Sequence, residues 1–96
     1  MRDQDYDEIV AETYREQPDR ALAMINALLE DGEPQEILVF LRQLAKAHGG
    51  VPAVAEAAGL NATQLYRTLS AEGNPSLSTL VALLKAMHLK LAVRAA

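Results

Sequence analysis

The stretch VPAVAEAAGLNATQLYRTLS, Val51–Ser70, carries the fold of this chain in its punctuation. Pro52 and Gly59 bracket a short helix in which Val54, Ala55 and Ala58 face inward. Proline favours the first turn of a helix, and glycine tolerates the left-handed residue that ends one. Asn61 then stands where an N-cap is needed, with Gln64 at the three-residue spacing of a reciprocal capping box. Leu65 and Leu69, four apart, point into the core, so Thr63, Tyr66, Arg67 and Ser70 share the opposite face. Gly73 is expected to end this second helix, in a turn with Asn74 and Pro75. Two short helices, a tight turn at Gly59 and a free polar face describe a helix-turn-helix.

The same grammar divides the remaining chain. Upstream, Asp5 is expected to cap a short helix over 6–16, liable to fray, with Tyr6, Ile9, Val10, Thr13 and Tyr14 as its inward stripe. Pro18 precedes a helix over 21–30 with Leu22, Ile25, Leu28 and Leu29 on its apolar face, closed by Gly32. Pro34 opens the next, in which Ile37, Leu38, Phe40, Leu41 and Leu44 are too dense for a surface stripe. This helix should be central, and His48 with Gly49-Gly50 should stop it. Downstream, Leu77, Leu80, Val81, Leu84 and Met87 mark a long amphipathic helix ending near His88. The tail after it alternates, Leu89, Leu91 and Val93 against Lys90, Ala92 and Arg94, which is the pattern of a short C-terminal strand seeking a partner.

Composition agrees with an all-α fold: half of the 96 residues are apolar, with one Phe and no Trp. Such a chain builds one modest core. We expect a single domain over 1–96, with acidic N-terminal helices over 1–33 and a helix-turn-helix DNA-binding domain over 34–96. No cysteine is present, which excludes disulfides and thiolate zinc. The acidic start MRDQDYDE is unlike a signal peptide, and no apolar run reaches the roughly 18 residues of a membrane span. A cytoplasmic protein is expected.

The net charge of −4 hides an asymmetry. Residues 1–41 hold eleven acids and three bases; residues 42–96 hold six bases (Arg42, Lys46, Arg67, Lys85, Lys90 and Arg94) and two acids, so the parts carry −8 and +4. The two halves are expected to face different partners, since a locally basic surface suits nucleic acid whatever the total.

Other chemistries find little support. Asp3, Asp5 and Asp7 have the opening spacing of a calcium loop, but its sixth position would be Glu8 rather than Gly and its twelfth Tyr14 rather than Glu, leaving a solvated acidic end. His48 and His88 lie 40 residues apart at two helix ends, where a cation suits the last carbonyls better than a metal site. Ser70, Ser76 and Ser78 have no histidine placed near them by motif, so neither enzymatic activity nor a cofactor or metal is expected.

From Pro34 to Val93 the sequence resembles the antidote proteins of addiction modules, HigA-like antitoxins of the phage-repressor-like helix-turn-helix class. The resemblance rests on GGVPAVAEAAGLNATQLYRTLSAEGNPSLSTLVALLKAMHLKLAV, above all LYRTLS, EGNP, SLSTL and the closing LKLAV, with ALAMINALLEDGEP upstream. It implies a five- to six-helix lambda-repressor-like bundle and a homodimer on a palindromic double-stranded DNA operator. It further implies repression of the protein's own operon and neutralisation of a small RelE-like ribonuclease toxin. By position, DNA reading falls on Asn61, Thr63, Gln64, Tyr66 and Arg67, with Ser70 on the same face. Two alternatives stand beside this reading: a phage-type transcriptional regulator without a toxin, or a protein-interaction module whose acidic half binds a basic partner.

Overall fold

A computed structural model describes residues 3–70 and 72–96, with side chains from Tyr6 onward. Six helices follow in order: α1 (Asp3–Glu16), α2 (Pro18–Asp31), α3 (Pro34–Ala47), α4 (Val51–Ala58), α5 (Ala62–Thr68) and α6 (Leu77–Ala86). The fold is all-helical, as the composition requires, and the described residues contain no strand.

Helix α3 is the hub, touching α1, α2 and α4. Its Leu38, Phe40, Leu41, Leu44 and Ala45 are all buried. At its start the Glu33 amide donates to Glu36 Oε1 at 2.9 Å, so a capping-box contact forms where the sequence reading did not look for one. At its end Gly49 and Gly50 hold φ of 101° and 104°, and the Gly50 amide reaches back to the Ala45 carbonyl at 2.9 Å. Glycine is needed there because an L side chain strains in this region.

The N-terminal helix differs most from expectation. Far from fraying, α1 lies along α3. It begins before the expected cap: Asp5 lies inside the helix, and the side chains of Asp3 and Asp5 fall outside the described residues. The inward face is Asp7 and Ala11, both buried, while Tyr6 and Ile9 of the expected stripe are exposed. Asp7 is therefore no part of a solvated acidic end. Its carboxylate accepts from Arg42 Nη2 at 3.0 Å and from Gln43 Nε2 at 3.2 Å. A small residue at Ala11 lets the two helices approach, and the buried charge is tolerated because it is paired and hydrogen-bonded. Farther along, Arg15 donates to the carbonyls of Ala47 and Lys46, which are among the last in α3. Tyr14 meets Phe40 edge to face at 5.1 Å, and burial pushes its phenol above the ordinary pKa, with Arg20 opposing.

Helix α2 begins at Pro18, three residues before the expected start, and adds Ala21 and Ile25 to the core, while Leu22 and Leu29 stay exposed. In α6 the buried residues are Leu83 and Leu84, followed by Met87, whereas Leu77 and Val81 are exposed. The run LVALL offers overlapping apolar stripes, and packing against α4 selects one of them. His88 closes α6 with a left-handed φ of 63°, and the Leu89 amide bonds to the Leu84 carbonyl at 2.8 Å. No strand follows. Leu89 packs on the core, Leu91 is 42% exposed and Val93 98% exposed, so the tail's alternation does not match two faces of a sheet. An isolated extended segment gains no ladder, and none of the described residues supplies a neighbouring edge.

Candidate nucleic-acid interface

The candidate site is built on α4, a three-residue turn and α5. Val51, Val54 and Ala55 anchor α4 in the core. Gly59 then adopts φ 71°, and the Leu60 amide donates to the Ala55 carbonyl at 2.8 Å, turning the chain sharply. An added Cβ at Gly59 would meet nothing within 4 Å, so backbone conformation rather than crowding calls for glycine.

Asn61 Oδ1 accepts from the Gln64 amide at 2.9 Å and starts α5. The expected return bond from the Gln64 side chain is absent among the described residues, which leaves that amide group free. Leu65, 2% exposed, and Leu69, fully buried, hold the middle and the C-terminal end of α5 against the core. Asn61, Thr63, Gln64, Tyr66 and Arg67 are all exposed on the outer side. Among the described residues, the side chains of Thr63, Gln64, Tyr66 and Arg67 make no hydrogen bond within the chain, so their polar groups are available to a partner.

Ser70 stands apart from these five. It is half-buried beyond the end of α5, and its hydroxyl donates to the Arg67 carbonyl at 2.8 Å. The helix stops at Thr68, not near Gly73 as expected. Gly73 lies against the Thr68 carbonyl, so that an added Cβ there would collide with its oxygen. Gly73 is thus required by close approach of two backbone segments, and α5 is held to seven residues, about two turns. Sequence spacing could not show this, because the contact belongs to the return path of the chain. Ser76, likewise not assigned a structural role from sequence, caps α6 by accepting from the Thr79 amide at 3.1 Å.

Electrostatics around the site also differ from the sequence tally. Arg42 pairs with Asp7 at 3.0 Å, and Lys46 lies 4.0 Å from Glu8. Two of the six bases after Leu41 are therefore directed at acids of α1. Arg67, Lys85, Lys90 and Arg94 are the remaining four, exposed and outside any ion pair among the described residues. Arg67 is the only cation on α4 or α5.

His48 and His88, at the ends of α3 and α6, come together with ring centroids 6.3 Å apart. Burial lowers the His48 pKa, and the neighbouring His88 adds to the effect. Among the described residues no group of three or more His, Cys, Asp or Glu gathers as a metal site, and no helix is long and apolar enough to cross a membrane.

An α5 of seven residues is about 10 Å long at 1.5 Å per residue, and a B-DNA major groove is roughly 12 Å wide. The molecule is a small helical bundle compatible with a helix-turn-helix unit. A family model described as probable addiction module antidote protein matches residues 5–95, and the chain belongs to that family. It is also 31% identical over 70 residues to an uncharacterized protein of Haemophilus influenzae, covering 73% of this chain and 71% of that one. No solved structure matches the chain. The family match includes α1, which the resemblance drawn from the sequence left out.

Proposed function

We propose that this antidote is a cytoplasmic, non-enzymatic DNA-binding repressor of the phage-repressor-like class. It binds its own operon as a homodimer and neutralises a RelE-like toxin encoded beside it. The observation that carries the DNA reading is the outer face of α5, whose side chains are exposed and without partners in the chain although Leu65 and Leu69 hold the helix firmly. Arg67 has the fork geometry to donate to O6 and N7 of a guanine, and Gln64 can pair with an adenine edge. Tyr66, Thr63 and Asn61 are suited to phosphates and to a thymine methyl.

A homodimer follows from how little one copy offers. One cation per reading helix neutralises few phosphates, and a second half-site about 34 Å away doubles both contacts and sequence read. A protomer measuring 39 × 26 × 24 Å is of the right size to place two α5 helices at that spacing. Leu77 and Val81, exposed one turn apart on α6, are the apolar pair we assign to the dimer contact.

Arg67→Ala tests the reading in a gel-shift assay on DNA from upstream of the protein's own operon. Affinity should fall by about tenfold or more, the scale of one good bidentate contact, with helicity unchanged. Retained affinity would overturn the assignment of α5 as the reader.

A further inference from the structure

Besides the outer face of α5, the fold exposes a second feature. Between α1, α2 and α3 runs an open groove of about 480 Å³. Tyr6, Val10 and Tyr14 form one wall at one-turn spacing, Met24 and Leu28 form the other, and Phe40 lies in the floor. Tyr6 is 55% exposed and Met24 41% exposed, so apolar and aromatic surface faces water there. Two walls of four-residue spacing suit a partner helix that inserts its own apolar side chains at i and i+4.

The exposed charge of α1 to α3 is mostly acidic. From Glu8 to Glu36 eight carboxylates of α1 to α3 and their connections are exposed, and Glu36 itself lines the groove. Of the cations of α1 to α3, Arg15 pairs with Glu12 and the end of α3, Arg42 pairs with Asp7, and Lys46 lies toward Glu8. Arg20, exposed and felt by Tyr14, is the one described cation of these helices outside an ion pair, set against eight exposed carboxylates.

We propose that this groove is the toxin-docking surface, and that its occupant is an amphipathic helix of a basic partner, with apolar anchors between α1 and α2 and Lys or Arg against the rim. The proposal rests on the antidote reading above and names the surface that serves it. It separates the molecule's two tasks: DNA on α5, protein on the α1–α3 side.

The probe is the purified small protein encoded beside this chain, titrated calorimetrically against the full chain and against Tyr6→Ser and Met24→Arg. Both substitutions sit at exposed positions, and circular dichroism verifies that helicity is kept. Binding by the unaltered chain should weaken at least tenfold between about 50 and about 500 mM salt, because exposed charges are screened. Each variant should lose roughly tenfold or more in affinity, the loss typical of a central anchor, while operator binding is unchanged. If both variants bind as tightly as the unaltered chain, the groove is overturned and the antidote reading stands. Affinity insensitive to salt overturns the basic partner. If the unaltered chain does not bind its neighbour at all, the antidote reading itself falls and the groove assignment falls with it.

Discussion

The contact of α1 with α3 and the outer face of α5 are both rich in polar side chains, but they use them in opposite ways. Along α1 and α3 the polar groups are committed within the chain. Asp7 accepts from Arg42 and Gln43, Arg15 donates to two backbone carbonyls, and Lys46 lies near Glu8. On α5 only Asn61 has a task in the fold, while Thr63, Gln64, Tyr66 and Arg67 project into water. A polar residue satisfied inside the chain contributes to stability and specificity of the fold. One left unsatisfied at the surface costs little and is available for a partner. The difference separates the residues that hold this protein together from those offered to others.

Substitutions on the two sides should therefore separate stability from binding. The largest effect is expected beneath α5, where Leu69 is fully buried. Leu69→Ala should cost about 3 kcal/mol in urea unfolding, through lost burial and the cavity left behind. It should also weaken DNA binding by loosening the end of α5. If stability falls and operator affinity is unchanged, α5 is not held for reading by this anchor.

Asp7→Ala comes next. It strips the partner from a half-buried Arg42 and should cost about 2 kcal/mol, somewhat under the loss seen when a fully buried pair is broken, because Arg42 keeps some access to water. A loss smaller than about 0.5 kcal/mol in the same unfolding measurement would place α1 among the loosely attached elements, as the sequence alone led us to expect.

His88→Gly should stabilise the protein by about 1 kcal/mol, because glycine occupies the left-handed region without the penalty that His88 bears at φ 63°. Thermal unfolding checks the sign. On the opposite side of the comparison, Gln64→Ala should change stability by less than about 0.5 kcal/mol, since its side chain is exposed and bonded to nothing in the chain. Any larger loss would mean that α5's face is structural after all.

The smallest effect is a pH dependence. His48 is harder to protonate in the folded chain than in the unfolded one, so the unfolded state binds more protons as the pH falls. Its contribution is complete above the ordinary histidine pKa of 6.5 and is lost as the pH drops from there through the lowered folded value. Unfolding midpoints of the unaltered chain and His48→Gln, compared from neutral to mildly acidic pH, should converge on acidification. A constant gap would remove His48 as the cause.

Much of the candidate site was legible because its rules are local. Gly59 in a left-handed turn, Asn61 as a cap, and Leu65 and Leu69 on one side of a helix depend on residues within one or two turns of each other. The same locality explains the failures. Asp7 looked solvated because its partner, Arg42, is 35 positions away. Leu83 is buried while Leu77 and Val81 of the expected stripe are exposed, because helical periodicity identifies a set of stripes and not the one that meets α4. Helix α5 is shorter than its sequence pattern suggests because the need for Gly73 arises from the Thr68 carbonyl packed against it.

By itself, then, the amino-acid sequence determined that this protein is all-helical, where most of its helices break at proline and glycine, and that Thr63, Tyr66 and Arg67 of α5 face outward, though not that Ser70 is half-buried. These follow from backbone propensities and short-range geometry. Only the tertiary structure decided that α1 is an integral part of the bundle, that Arg42 and Lys46 answer its acids, that the tail is not a strand, and that an apolar groove with Glu36 in its lining lies between α1, α2 and α3. Those features depend on which distant side chains come within a few ångströms of each other, and packing decides that only when all the helices are in place.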